Sequence, residues 1–160
     1  MARTSGRKWR VLVLHGPNLN MLGSRERELY GQITLEAIDL FLAGTASRYG
    51  AKVESKQSNH EGVLVDWVQQ ASGKYDGIVI NPGGYGHTSV TLRDAIASVP
   101  LPTVEVHLTN IYAREEFRRT SMIAPECVGV IAGFGAHSYT LGFRALLDYL
   151  KSRQDDETQT

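Results

Sequence analysis

The stretch LHGPNLNMLGSRERELYG, Leu14 to Gly31, sets two arginines, Arg25 and Arg27, close to a tyrosine, Tyr30, that is followed by glycine. A phenol titrates near 10, so a tyrosine working as a base at neutral pH needs its anion stabilised by about three pKa units, or about 4 kcal/mol. One guanidinium at roughly 4 Å, at an effective dielectric near 20, supplies about that much. Arg25 on the same loop as Tyr30, with Arg114 approaching from elsewhere in the chain, could therefore make a tyrosinate base. The alternative is a solvated charged loop anchored by Tyr30, and spacing alone favours it.

Two further groupings could do chemistry. In VEVHLTN, Glu105 and His107 lie two apart and so share one face of a strand, where the carboxylate could orient or charge the imidazole. Leu108 and Thr109 follow, leaving the strand with backbone N–H groups that can hold a carboxylate. In NPGGYGHTS, Asn81 offers a donor and an acceptor, the glycines Gly83, Gly84 and Gly86 permit close approach of a ligand, and His87 precedes a helix that Thr88 or Ser89 can cap. Each grouping also has a plain reading, as a packing histidine at a strand end and as an ordinary strand-to-helix turn.

Other chemistries lack their residues. The five histidines, His15, His60, His87, His107 and His137, show no HExxH or similar close spacing, and no second cysteine joins Cys127, so no metal site is expected. There is no GxSxG elbow, no Walker loop and no pair of acidic strand ends for a phosphoryl acceptor, since His15 and Asn81 stand there. With 17 lysines and arginines against 17 aspartates and glutamates, no net field draws the chain to nucleic acid or to an anionic membrane, and a small ligand is expected. A lone cysteine suits a reducing cytoplasm, and no apolar run approaches the roughly 18 residues of a membrane span.

The 160 residues, 42% hydrophobic, suffice for one core. Short apolar runs alternate with segments of helical period, the pattern of strand-helix units around a parallel sheet. Strands are expected over Trp9 to Leu14, Ala51 to Lys56, Asp76 to Asn81, Pro102 to His107 and Val128 to Gly133, with the first, third and fifth apolar on both faces as interior strands are. Thr34 can cap a helix carrying Leu35, Ile38, Leu42 and Ala46 on one face, and Ser58 with Glu61 reads as a capping box. Further helices are expected from Ser89 to Ser98, a short polar one over AREEFRR, and an amphipathic one over YTLGFRALLDYL. The expected architecture is a flavodoxin-like α/β three-layer sandwich, sheet order 2-1-3-4-5, over residues 9–151, with a flexible arm at 1–8 and a solvated polar tail at 152–160. Its crevice would lie at the carboxyl ends of strands 1 and 3, where all three groupings converge.

From Val11 to Lys151 the chain resembles the type II 3-dehydroquinate dehydratases, through GPNLNMLG, R-x4-Y-G, QSNHEG, INPGGYGHTSVTLRDA, VEVHLTN and AREEFRR in order. The resemblance implies dehydration of 3-dehydroquinate through an enolate, without metal, Schiff base or cofactor. It implies Tyr30 as base with Arg25 as its partner, and His107 as general acid oriented by Glu105. It also implies Asn18 holding a water against the enolate, Asn81, His87 and Arg118 on substrate hydroxyls, and Leu108 with Thr109 on the carboxylate. Asp94 would lie near a subunit contact of a dodecamer built from trimers. Departures are mild: Leu108-Thr109 where Ile-Ser is commoner, Gly84 and Gly86 in the loop before His87, Tyr112 for a frequent histidine, and GAHSY without the usual glycine before the tyrosine. The alternatives are a related dehydratase serving quinate breakdown and a non-catalytic flavodoxin-like module for an anionic metabolite or flavin.

Overall fold

The structure is a computed structural model that describes residues 8–24 and 27–159; Arg25 and all but the last residue of the expected arm lie outside the described residues. Strand β1 (Trp9–His15) pairs in parallel with both β2 (Ala51–Gln57) and β3 (Gly77–Asn81). Strands β4 (Thr103–His107) and β5 (Gly129–Ala132) extend the sheet beyond β3, giving the order β2-β1-β3-β4-β5. A four-residue turn, α1 (Arg27–Tyr30), follows β1, and helices α2 (Leu35–Arg48) and α6 (His137–Gln159) cover one face. Helices α3 (Glu61–Gln70) and α5 (Val90–Ser98) cover the other, with a one-turn helix, α4 (Tyr85–Thr88), leading into α5. This is the flavodoxin-like three-layer sandwich expected from the alternation of apolar runs and helical period.

Successive strand residues point to opposite faces, and the sheet uses the alternation to sort its side chains by size. Val11, Val13, Val79, Val104 and Val106 face α2 and α6, whereas Leu12, Leu14, Ile78 and Ile80 face α3 and α5. The smaller valines let α6 lie close: a Cβ added at Gly142 would stand 2.5 Å from Val106 Cγ1. Helix α2 starts as its sequence suggests, with Thr34 Oγ1 accepting from the Ala37 N–H at 3.2 Å, and buries Leu35, Ile38, Leu42 and Ala46. The α5 cap is Ser89, whose Oγ accepts from the Leu92 N–H at 2.9 Å.

Three expectations change. The apolar run VGVIAG forms an edge strand, β5, with Val128 and Val130 exposed, because hydrophobicity on both faces does not say whether a neighbouring strand exists to cover it. Ser58 does not form a capping box with Glu61; its Oγ accepts from the His60 N–H at 3.0 Å, and His60 takes the cap position without a side-chain bond. The last helix runs past YTLGFRALLDYL to Gln159, so the polar residues from Ser152 onward continue it as a largely exposed helical end.

The close approach at Gly142 yields a test in a pair of variants. Gly142→Val wedges two methyl groups against Val106 and lowers unfolding free energy by about 1–3 kcal/mol. Gly44→Ala, on the exposed side of α2 with nothing within 4 Å of the added carbon, raises it by about 0.5–1 kcal/mol. Denaturant midpoints measure both, and a Gly142→Val midpoint at or above the parent value contradicts the packing account.

Candidate active site

The carboxyl ends of β1, β3 and β4 open into one cavity. Its polar lining includes Asn18, Tyr30, Asn81, His87, His107, Thr109, Arg114 and Arg118. Strand β1 has neighbours on both sides while its connections and those of β3 leave on opposite faces, so this is the switch point where α/β sheets hold ligands. The loops after β1 and β3 meet there closely enough that a Cβ at Gly16 would sit 2.5 Å from the Pro82 carbonyl oxygen, and Gly16 N–H donates to the Asn81 carbonyl at 2.8 Å.

Asn18 is the one non-glycine residue with positive φ among the described residues, at φ 69°, and an asparagine adopts that conformation at less cost than most side chains. Its N–H donates to Asn59 Oδ1 at 2.9 Å, and Gln57 Nε2 donates to the same oxygen at 3.1 Å and to the Gly16 carbonyl at 3.2 Å. The QSNHEG motif therefore has a mechanical purpose: Gln57 and Asn59 pin the backbone that carries Asn18 to the cavity.

On β4, Glu105 has no solvent exposure and its Oε1 lies 2.7 Å from His107 Nε2. An ionised carboxylate only accepts, so it fixes a proton on Nε2 and leaves Nδ1 as the nitrogen able to exchange a proton with something in the cavity. Ser121 Oγ lies 2.8 and 2.9 Å from the two Glu105 oxygens and accepts from the Ala124 N–H at 3.0 Å. The His87 ring stacks on His107 with centroids 5.8 Å apart, and its Nδ1 donates to the Thr120 carbonyl at 2.9 Å. That bond makes Nε2 the acceptor of a neutral His87. Burial lowers its pKa below the ordinary 6.5, as do the charges of His107 and Arg118, against the bond to Thr120 and the Glu105 carboxylate.

Across the mouth, Arg114 Nη1 donates to the Tyr30 hydroxyl at 2.9 Å and to Thr109 Oγ1 at 3.3 Å. The guanidinium that the sequence reading brought from elsewhere in the chain thus reaches the phenol directly. Cys127 takes no part, since burial pushes its thiol up to about 12, and it lies outside this cavity. Among the described residues no three histidines, cysteines or carboxylates gather as metal ligands, and no helix is long and apolar enough to cross a membrane.

A family model described as dehydroquinase class II matches residues 9–147 of the chain. The chain belongs to the class II dehydroquinase family. A protein named 3-dehydroquinate dehydratase from Trichodesmium erythraeum is 56% identical to it over 145 residues, covering 91% of this chain and 97% of that protein. One of the same name from a Nostoc species is 60% identical over 141 residues, covering 88% and 96%. The crystal structure of the type II dehydroquinase from Butyrivibrio crossotus superposes with a TM-score of 0.86 at 43% identity, covering 88% of this chain and 99% of that one.

Of the residues that the resemblance to the class II dehydroquinases implies, Tyr30, Asn81, His87, His107, Leu108, Thr109 and Arg118 all line the cavity, together with Asn18. Asp94 does not: it is exposed on α5, away from this cavity in the single chain. Sequence reasoning missed Ser121, which holds Glu105 from 16 residues away, and Ile111, which closes the cavity wall. No spacing rule signals either one, because both reach the site through an irregular segment.

The state of His87 can be read directly. Its ring resonances should titrate with a midpoint below 6.5 in nuclear magnetic resonance, and a midpoint at or above that value contradicts the geometry. Because the folded pKa is depressed, the unfolded chain binds more protons just below 6.5. His87 therefore contributes stability that is present above that pH and is lost as pH falls toward the folded value.

Proposed function

We propose that this chain is a type II 3-dehydroquinate dehydratase of the shikimate pathway, removing water from 3-dehydroquinate to give 3-dehydroshikimate on the way to aromatic amino acids. The observation that carries the reading is one cavity lined both by Tyr30, paired with Arg114, and by His107, paired with Glu105, in a chain of the class II dehydroquinase family. A base and an acid within one small site are what an elimination requires, and binding alone needs neither.

In this reading Tyr30, as phenolate, takes the proton beside the ketone, and the electron pair left behind forms an enolate. Arg114, with Arg25 from the same loop as Tyr30, stabilises the phenolate. Asn18 holds a water against the enolate oxygen, placing a preorganised donor where charge develops. His107 then gives its Nδ1 proton to the departing hydroxyl, the enolate collapses to the conjugated enone, and water leaves. Glu105 pairs with the charge on His107 whenever the ring carries both protons. Asn81, His87 and Arg118 take the substrate hydroxyls, His87 through its neutral Nε2, and the backbone of Leu108 and Thr109 takes the carboxylate, with Thr109 Oγ1 anchored by Arg114. The protons move between this chain's own side chains and substrate, and the C–O bond breaks within the substrate as the enolate collapses, so the proposal includes no metal or organic cofactor.

The same reading extends to assembly and location. The proposed unit is a dodecamer, a tetramer of trimers, in which exposed Asp94 on α5 approaches the substrate site of a neighbouring subunit. The proposed compartment is the cytoplasm, which suits the single unpaired Cys127.

Addition of 3-dehydroquinate to the purified protein should produce ultraviolet absorbance from the conjugated enone; none at any pH from about 6 to 9 sinks the proposal. Tyr30→Phe keeps the ring and removes the base, so turnover should fall about a hundredfold or more, the usual cost of losing a general base. A variant keeping more than about a tenth of parent turnover would refute the tyrosinate. Activity abolished by a chelator and restored by metal would refute the acid-base scheme as a whole.

A further inference from the structure

Three consecutive residues just outside the cavity lining, Thr120, Ser121 and Met122, fasten the two elements that carry its histidines. The Thr120 carbonyl accepts from His87 Nδ1 at 2.9 Å, and the Met122 N–H donates to the Gly86 carbonyl at 2.7 Å, which ties this backbone to α4. Ser121, between them, is fastened to β4 instead. An ionised carboxylate only accepts, so the Ser121 hydroxyl is the donor to Glu105, with its oxygen 2.8 Å from Oε1 and 2.9 Å from Oε2. The same oxygen accepts from the Ala124 N–H at 3.0 Å. With its proton directed at the carboxylate and its oxygen held by the backbone, the hydroxyl has one orientation.

Glu105 is fully buried, and a carboxylate out of water keeps its charge only where donors replace the water. Among the described residues two donors reach it, His107 Nε2 at 2.7 Å and the Ser121 hydroxyl. The other polar groups nearby do not take their place. Arg118 sends its Nε proton to Glu115 at 2.6 Å, and His87, stacked on His107, sends its Nδ1 proton to Thr120. Cys127 adds no competing charge, because burial pushes its thiol up to about 12. With one of the two donors gone, the neutral carboxyl is favoured, and the proton shared by the pair moves from Nε2 to Oε1. The charged imidazolium is then exchanged for a neutral ring, which is a weaker acid.

We infer that Ser121 is a positioning residue for the elimination: by donating to both oxygens of Glu105 it keeps that carboxylate ionised, and so keeps the Nε2 proton on His107 while Nδ1 gives its proton to the departing hydroxyl. Ser121 touches neither substrate nor cavity and acts only through Glu105. The part of His107 as acid rests on the function proposed above, whereas the hold of Ser121 on the charge of Glu105 does not.

Two variants test it, Ser121→Ala, which deletes the donor, and Ser121→Thr, which keeps it. The carboxyl carbon resonance of Glu105, recorded near neutral pH without substrate, should move toward the protonated form in Ser121→Ala and stay at its parent position in Ser121→Thr. In Ser121→Ala, kcat for 3-dehydroquinate should fall about tenfold or more, the range one hydrogen bond to a charged group spans. KM should change less, because Asn81, His87 and Arg118 remain at the cavity, and Ser121→Thr should recover most of the loss in kcat. An unmoved Glu105 resonance in Ser121→Ala, a rise in KM with kcat unchanged, or a Ser121→Thr variant as impaired as Ser121→Ala overturns the inference. If Ser121→Ala does not fold, Ser121→Cys, close in size and a weak donor, decides by the same readings. If the parent protein fails to dehydrate 3-dehydroquinate, the function is wrong, and the Glu105 resonance alone still decides the part played by Ser121.

Discussion

A carboxylate with no exposure to water, Glu105, sits in the interior strand β4, and the site is arranged around the need to compensate it. Breaking a buried ion pair by removing one partner costs about 3–5 kcal/mol, so a charge placed there demands partners on every accessible side. His107 supplies one through Nε2 and Ser121 supplies the other to both oxygens. Ser121 belongs to the irregular segment between β4 and β5, which carries Arg114 and Arg118. Holding Ser121 against Glu105 therefore helps to place both guanidinium groups at the cavity mouth. The same segment is tied to the loop after β3, where His87 donates to the Thr120 carbonyl and the Met122 N–H donates to the Gly86 carbonyl at 2.7 Å.

The pleat then divides labour between the two faces of the sheet. Glu105 and His107 alternate with Val104 and Val106, which face α6, so the acid pair turns toward the α3 and α5 side. Asn81 alternates the other way, toward the face where His15 meets Tyr139. Both sets reach one cavity because parallel strands present their carboxyl ends at a common edge. The loops after β1 and β3 can share that edge because Gly16 has no side chain to strike Pro82.

Much of this was legible locally. A helix with a Thr34 cap and four apolar residues on one stripe needs only neighbours within the helix to be recognised. The limits of β1, β3 and β4 followed to within a residue from apolar runs bounded by turn chemistry. Misreadings fell where a distant segment decides the outcome. Strand β5 looks interior from its own residues but has β4 on one side and no further strand of the sheet on the other, whereas β4, interrupted by Thr103, Glu105 and His107, is buried throughout. Ser58 has the residue types of a capping box, but the chain there turns one step earlier, and its hydroxyl meets the His60 N–H first.

By itself the sequence determined which residues could do chemistry and which strand ends would carry them, because side-chain type and periodicity of two or 3.6 are properties of short stretches. It determined the Glu105–His107 pair for the same reason, two residues apart on one face of one strand. Tertiary structure alone decided that Arg114, a candidate from sequence, reaches Tyr30 across 84 positions, and it alone supplied partners from afar that the sequence did not suggest, His15 on Tyr139 across 124 positions and Ser121 on Glu105. Those distances close only when the sheet order and the helix packing are complete. Whether a guanidinium, an imidazole or a hydroxyl lands within about 3 Å of its partner depends on the summed geometry of every element between them, and no local rule contains that sum.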